Sequence, residues 1–115
     1  MGSVRHRGGE TVILHPLVEG AEDAHGNPVE EWGPGVEREK CAIEPRVQEV
    51  ENELGRSAVV YGFTIYDTFD SPVTDRDEMT VRGIRCKVDG EIARWRNPFT
   101  GQAKGSVITL KRVDG

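Results

Sequence analysis

The sequence predicts an all-β fold: a small closed or partly open β-barrel of about six to seven strands with one long inserted loop. Three observations predict it. Val and Ile dominate the apolar set, with 14 Val and six Ile against four Leu, and β-branched side chains suit a pleated surface. Fourteen Gly and six Pro interrupt the chain at short intervals, as turns between strands require. Short alternating stretches recur, the clearest running from Ala58 to Tyr66. At 115 residues the chain is the size of one domain with a single modest core. It divides into an N-terminal arm over residues 1–10 and a barrel over 11–115.

Taken in order, Thr11-Val12-Ile13-Leu14 begins a strand that stops by Pro16. Glu19 to Pro28, with Gly20, Gly26, Asn27 and Pro28 among acids, reads as a polar loop or hairpin tip. Val29 to Trp32 is a candidate short strand before the Gly33-Pro34-Gly35 break. Val36 to Ile43 alternates only weakly, which leaves its register open. Between Glu44 and Ser57 the aromatic residues disappear. Val47, Val50 and Leu54 fall at i, i+3 and i+7 there, so two turns of amphipathic helix and a long charged loop both fit. A connection of that length inside a compact domain is either functional or disordered. In Ala58 to Tyr66, Val59, Tyr61, Phe63 and Ile65 share one face and Val60, Thr64 and Tyr66 the other, the pattern of a central strand covered on both sides.

Asp67 to Glu78 is an acidic turn region around Pro72, and its acids lack the alternate spacing and central Gly of an EF-hand loop. Asp89-Gly90 between alternating stretches predicts a two-residue hairpin. That turn pairs Lys87 with Ile92, Cys86 with Ala93, Arg85 with Arg94 and Ile84 with Trp95. Ile84, Cys86, Ala93 and Trp95 then form a buried stripe, and the opposite face sets Arg85 against Arg94 with Arg96 two residues on. Opposed like charges require a counter-charge, which is met either by intramolecular acids or by an acidic partner. Phe99, in the turn Asn97 to Gly101, is placed to cap a barrel end or to insert into a partner. Ser106 to Val113 is the closing strand, with Ile108 and Leu110 inward and Thr109 and Lys111 outward.

No catalytic constellation accompanies this layout. His6, His15 and His25 lack spaced Cys or carboxylate partners for a zinc site or a catalytic pair. No phosphate cradle or nucleophile elbow is present, and neither a cofactor nor enzymatic activity is expected. Cys41 and Cys86 sit among apolar residues, as buried free thiols do. No apolar run approaches the roughly 18 residues of a membrane span, and the N-terminus lacks a signal peptide's apolar core, so synthesis in the cytoplasm and no membrane association are expected. A net charge of −5 and a pI near 5.2 suit a surface that DNA passes better than one that grips it.

The order of elements, the Asp-x-x-x-Val-Arg-Gly hairpin at Asp77 to Gly83, Val88-Asp89-Gly90, Trp95-Arg96-Asn97-Pro98-Phe99-Thr100-Gly101 and Leu110-x-Arg112-Val113-x-Gly115 resemble the head-closure proteins, or head-to-tail connector stoppers, of long-tailed bacteriophages. The resemblance runs from Thr11 to Gly115 and is sharpest after Asp77. It implies a ring of six or twelve copies in the virion neck, between the portal-adaptor ring protein and the tail terminator or tail tube protein, with viral DNA passing through the lumen. It also implies a channel gate loop, matched by position to residues 44–57: Arg46, Val47, Glu49, Val50, Glu51, Glu53, Leu54 and Arg56. A ring needs two unlike patches that meet. The Arg85, Arg94, Arg96 and Phe99 surface and the acidic Asp70, Asp75 and Asp77 region are the expected pair, lying apart on the subunit. Another neck or tail ring such as a tail terminator is an alternative, and an oligonucleotide-binding barrel is one from a different class.

Overall fold

A computed structural model describes residues 9–51 and 54–113. The fold is all-β, with seven antiparallel strands: β1 Glu10–His15, β2 Val36–Glu51, β3 Ser57–Asp67, β4 Glu78–Val81, β5 Ile84–Val88, β6 Ala93–Arg96 and β7 Ala103–Arg112. The neighbour order β3-β2-β1-β4-β5-β7-β6, with a further β3–β7 pairing, closes the hydrogen bonding into a ring. This is the arrangement of a partly open barrel. The described residues contain no helix, and hence none long and apolar enough to cross a membrane.

The inward face carries the core: Val12 and Leu14 of β1, Cys41 of β2, Phe63 and Ile65 of β3, Met79 and Val81 of β4, Cys86 and Val88 of β5, and Ile108 and Leu110 of β7, with Val73 from the loop after β3. Both cysteines are buried free thiols, as expected. The weak alternation at the start of β2 has a local cause. Between Glu10↔Cys41 and Val12↔Arg38 the register slips by one residue, and Lys40 takes a left-handed φ of 58°, which together make a β-bulge. The bulge reverses the alternation, so Arg38 before it and Cys41 and Ile43 after it all face inward.

The β4–β5 hairpin expected at Asp77 to Gly83 is present, turning through Arg82 and Gly83, both with positive φ, the two-residue geometry that matches strand twist. Closure of the ring depends on Gly62. A Cβ there would lie 1.9 Å from the Leu110 carbonyl oxygen and 2.9 Å from Lys111 Cα, so β3 and β7 pair at this point because position 62 has no side chain.

Three expectations are corrected. Residues 44–51, expected in a long loop or a helix, are strand: Ala42↔Tyr66 through Glu51↔Ser57 pair continuously between β2 and β3, and residues 52 and 53 lie outside the described residues. The Asp89-Gly90 hairpin does not form. β3 occupies one edge of β7, and β5 and β6 share the other edge end to end, β6 at Ala103–Val107 and β5 at Leu110–Arg112. Asp89 to Ile92 is thus an outpouching between two strands that run on in the same direction, held by Asp89 N–H donating to the Thr109 carbonyl at 2.7 Å. Consequently Ala93 and Trp95 face outward, and Trp95 is 59% exposed. Finally, Val29 to Trp32 forms no strand; Leu17↔Trp32 and Glu22↔Pro28 are isolated bridges.

Candidate functional site

Beyond Gly62, where β7 leaves β3, residues 47–51 and 57–61 pair only with one another. Five residues per arm at about 3.3 Å each carry this two-stranded ribbon about 17 Å from the ring. Its faces differ. Val47↔Tyr61 and Glu49↔Val59 continue the inward face set by Ile43↔Ile65 and Pro45↔Phe63, yet past the ring nothing covers them: Val47 is 68% and Tyr61 55% exposed. Val59 is exposed as well. The core-facing pattern of the sequence therefore runs on past the end of the core.

Of the residues expected in a gate loop, all that are described lie in or beside this ribbon. Arg46 anchors its base, donating to the Leu110 carbonyl at 3.2 Å, pairing with Asp89 at 3.0 Å and bonding the Gln48 side-chain oxygen. Val50 lies on the opposite face from Glu49 and Glu51 and is half-buried. Leu54 and Arg56 are exposed at the turn, and Glu53 lies outside the described residues.

The two patches expected to lie apart instead meet within one subunit. Arg85 pairs with Glu78 at 2.7 Å. The Arg94 guanidinium donates to the carbonyls of Phe69 at 2.7 Å, Ser71 at 3.0 Å and Val73 at 3.4 Å, which makes it a clamp on the loop after β3. Arg96 donates to the Gly101 carbonyl and stands over the Phe69 ring, 4.5 Å from its centre. Arg85 and Arg94 are not opposed. Cys86, the residue after Arg85, pairs with Arg112, and Arg94 pairs with Ser106, six residues apart on β7, about 20 Å at strand rise. Asp77 is buried and accepts from the backbone N–H groups of Leu17 and Thr74, each at 2.9 Å. Asp70 and Asp75 are exposed, and hydrogen bonding to the Thr68 hydroxyl and its own backbone holds the Asp70 carboxyl below the usual range. Phe99 is 94% exposed on the β6–β7 turn, so it does not cap the barrel.

A groove of about 980 Å³ runs beside the ribbon base, lined by Val59 to Tyr61 of the ribbon and, among others, by Leu17 and Trp32, the acids Glu30, Asp75, Asp77 and Glu78 and the cations Arg76, Lys87, Lys111 and Arg112. Lys87 and Lys111 are directly paired across β5 and β7. Neither makes an ion pair among the described residues, because Glu78, next to Lys87 on β4, is held by Arg85. This juxtaposition of like charges is invisible in sequence, since it depends on β7 rather than β6 lying beside β5. Elsewhere, His15 Nε2 is 2.8 Å from the Thr80 hydroxyl, tying β1 to β4; burial and the nearby Arg85 cation lower the imidazole pKa, against Glu78. No group of three or more His, Cys, Asp or Glu that could hold a metal occurs among the described residues.

No known protein-family model matches this chain, and no curated protein does.

Proposed function

We propose that this chain is a structural virion protein of the bacteriophage neck, forming a ring that closes the DNA-filled head and joins the portal-adaptor ring to the tail terminator or tail tube. The observation that carries this reading is the projecting ribbon. It stands at the position where the sequence resemblance puts the channel element, on a small ring-closed sheet, and it presents Glu49 and Glu51 beside uncovered apolar residues. A cytoplasmically made subunit with an uncovered extension of its core face suits an assembly in which other subunits complete that face. Acidic side chains on an element lining a DNA channel repel phosphates and let the duplex slide. The gate is then a β-ribbon whose turn at residues 54–56 faces the lumen, with Arg46 holding its base to the barrel.

The test uses heads packed with DNA in the absence of this protein. Purified chain should bind them at the portal-adaptor ring and retain the DNA; a chain that binds tails but not filled heads favours the tail-terminator alternative.

The oligonucleotide-binding alternative draws on one observation, the outward Trp95 together with Phe99. Stacking platforms combine aromatics with cations that reach the backbone. Here the guanidinium groups of Arg94 and Arg96 are committed to carbonyl oxygens. A salt-dependent gel shift abolished by Trp95→Ala would make this the better reading.

A further inference from the structure

We propose that the groove beside the ribbon is a site of strand addition, in which an extended segment of a partner protein, apolar at alternate positions and without strong net charge, pairs its backbone with residues 57–61 of β3. The site is read from the subunit alone and does not depend on the ring.

An open backbone edge carries it. β2 covers one edge of β3 from Ser57 to Tyr66, whereas β7 covers the other only from Asp67 back to Gly62, so residues 57–61 have no strand on that side among the described residues. The groove lies along this edge. Successive side chains of a strand point to opposite faces, yet Val59, Val60 and Tyr61 all line it, the pattern of a groove beside the strand and not over one face. Lys111 to Val113 line it as well, where β7 has left β3 and runs beside β5. The groove is thus the gap that opens between β3 and β7 once their pairing ends, and a strand entering it takes up the ladder at that point. Five residues of edge measure about 17 Å.

The two open edges of the ribbon differ in a way that singles this one out. Beyond Cys41, β2 has no described strand on its outer side, and that stretch carries Pro45 with Glu44, Glu49 and Glu51, the proline and charges that keep edge strands from pairing. Ser57-Ala58-Val59-Val60-Tyr61 carries neither. Its β-branched and aromatic residues favour pairing, and nothing in it guards the edge.

The lining sets the chemistry of the occupant. A row of backbone donors and acceptors at strand spacing is matched by another extended backbone. Leu17, Trp32 and Val113 supply apolar wall for alternate side chains. The charges are balanced, acids such as Glu30 and Asp75 against cations such as Arg76 and Lys111, which gives a polyanion such as DNA no net attraction. One acidic side chain in the segment suits the opposed Lys87 and Lys111.

The probe is a synthetic heptapeptide of alternating Val and Thr with one central Glu, titrated into full-length protein and followed by NMR. Amides within residues 57–61 should shift, and those that face the groove should exchange with solvent about tenfold more slowly at saturation. The same peptide methylated at every backbone nitrogen keeps its side chains and loses its donors, and should bind at least about tenfold more weakly. Val59→Lys, which places a charge on the unguarded edge, should weaken binding about tenfold; Phe99→Ala, on the β6–β7 turn, should leave it unchanged. Absence of shifts in residues 57–61 at millimolar peptide overturns the site, as does equal binding of the methylated peptide. Protection of these amides in the free protein, present only at concentrations where it is oligomeric, would give the edge to a second copy and overturn the proposal. A DNA duplex that shifts the same amides and displaces the peptide would overturn it too, assigning the groove to phosphate. None of these outcomes decides the ring reading, which is tested separately on filled heads.

Discussion

Arg38 and Asp67 form a bidentate ion pair, Nε to Oδ2 at 2.9 Å and Nη2 to Oδ1 at 3.3 Å, which ties the beginning of β2 to the end of β3. The Asp67 side chain is 1% exposed. Burial alone would raise its pKa, but the Arg38 donors and the Thr68 backbone N–H outweigh burial and leave it below the ordinary value of 3.8. A carboxylate with a depressed folded-state pKa contributes its full stabilisation above its unfolded pKa and loses it as pH falls through the folded value. The pair should therefore hold from neutrality down to about pH 4 and fail below that. Asp67→Asn should cost about 3 kcal/mol at pH 7, as removal of one partner of a buried pair does, and should flatten the stability-versus-pH curve below about pH 4. Urea unfolding across pH 2–7 checks both; an equally steep acid limb in the variant would contradict the assignment.

Gly62→Ala tests the ring closure. The new methyl meets backbone, not the end of a flexible side chain, so β3 and β7 must separate, at a cost of at least about 3 kcal/mol. Gly33→Ala is the control, because a Cβ there sits at 3.6 Å from its nearest neighbours and should change stability by no more than about 1 kcal/mol. Thermal unfolding of the two variants should differ sharply; equal melting temperatures would contradict closure at residue 62.

Arg94 should behave as a clamp and not as an interface residue. Arg94→Ala leaves the carbonyls of residues 69–73 without their donor and should destabilise by about 1–3 kcal/mol. Arg94→Lys should recover little, since one ammonium cannot reproduce a planar fork across several carbonyls. Hydrogen exchange in residues 69–74 should speed up in both. If either variant instead kept wild-type stability while losing self-association, the interface expectation would be restored.

Shortening the ribbon, by replacing residues 48–60 with Asn-Gly between Val47 and Tyr61, should leave the ring-closed core folded, because the core residues lie elsewhere. Asn-Gly is the turn that a two-residue hairpin favours. The melting temperature should stay within a few degrees of wild type, while self-association and DNA retention in filled heads are lost. Loss of folding would show that the ribbon belongs to the core.

Much of the fold was legible because strands whose alternation is uninterrupted announce themselves. Period two alone put Ile108 and Leu110 of β7 inward and Phe63 and Ile65 of β3 on one shared face, as the core has them. What failed had local causes. The bulge at Lys40 reversed the alternation within β2, and Pro45 together with Glu44, Glu49 and Glu51 gave the rest of that strand the look of a loop, because an edge strand facing solvent needs few apolar residues. Asp89-Gly90 has the chemistry of a hairpin turn, and Gly90 does take φ 90°. Yet β7, a non-local strand, occupies the edge that β6 was expected to fill. The ribbon's residues were found by position and mistaken in form, and the Lys87↔Lys111 pair follows from β-topology that no local pattern encodes.

The central claim is that this chain forms a closed ring in which the ribbons line a DNA channel. Electron cryomicroscopy of full-length protein bound to portal-adaptor rings tests it most directly. The account predicts a ring of copies stacked on the adaptor, with the turns at residues 54–56 on the lumen. A chain that stays monomeric in the presence of the adaptor, or a ring whose ribbons point away from the channel, would contradict it.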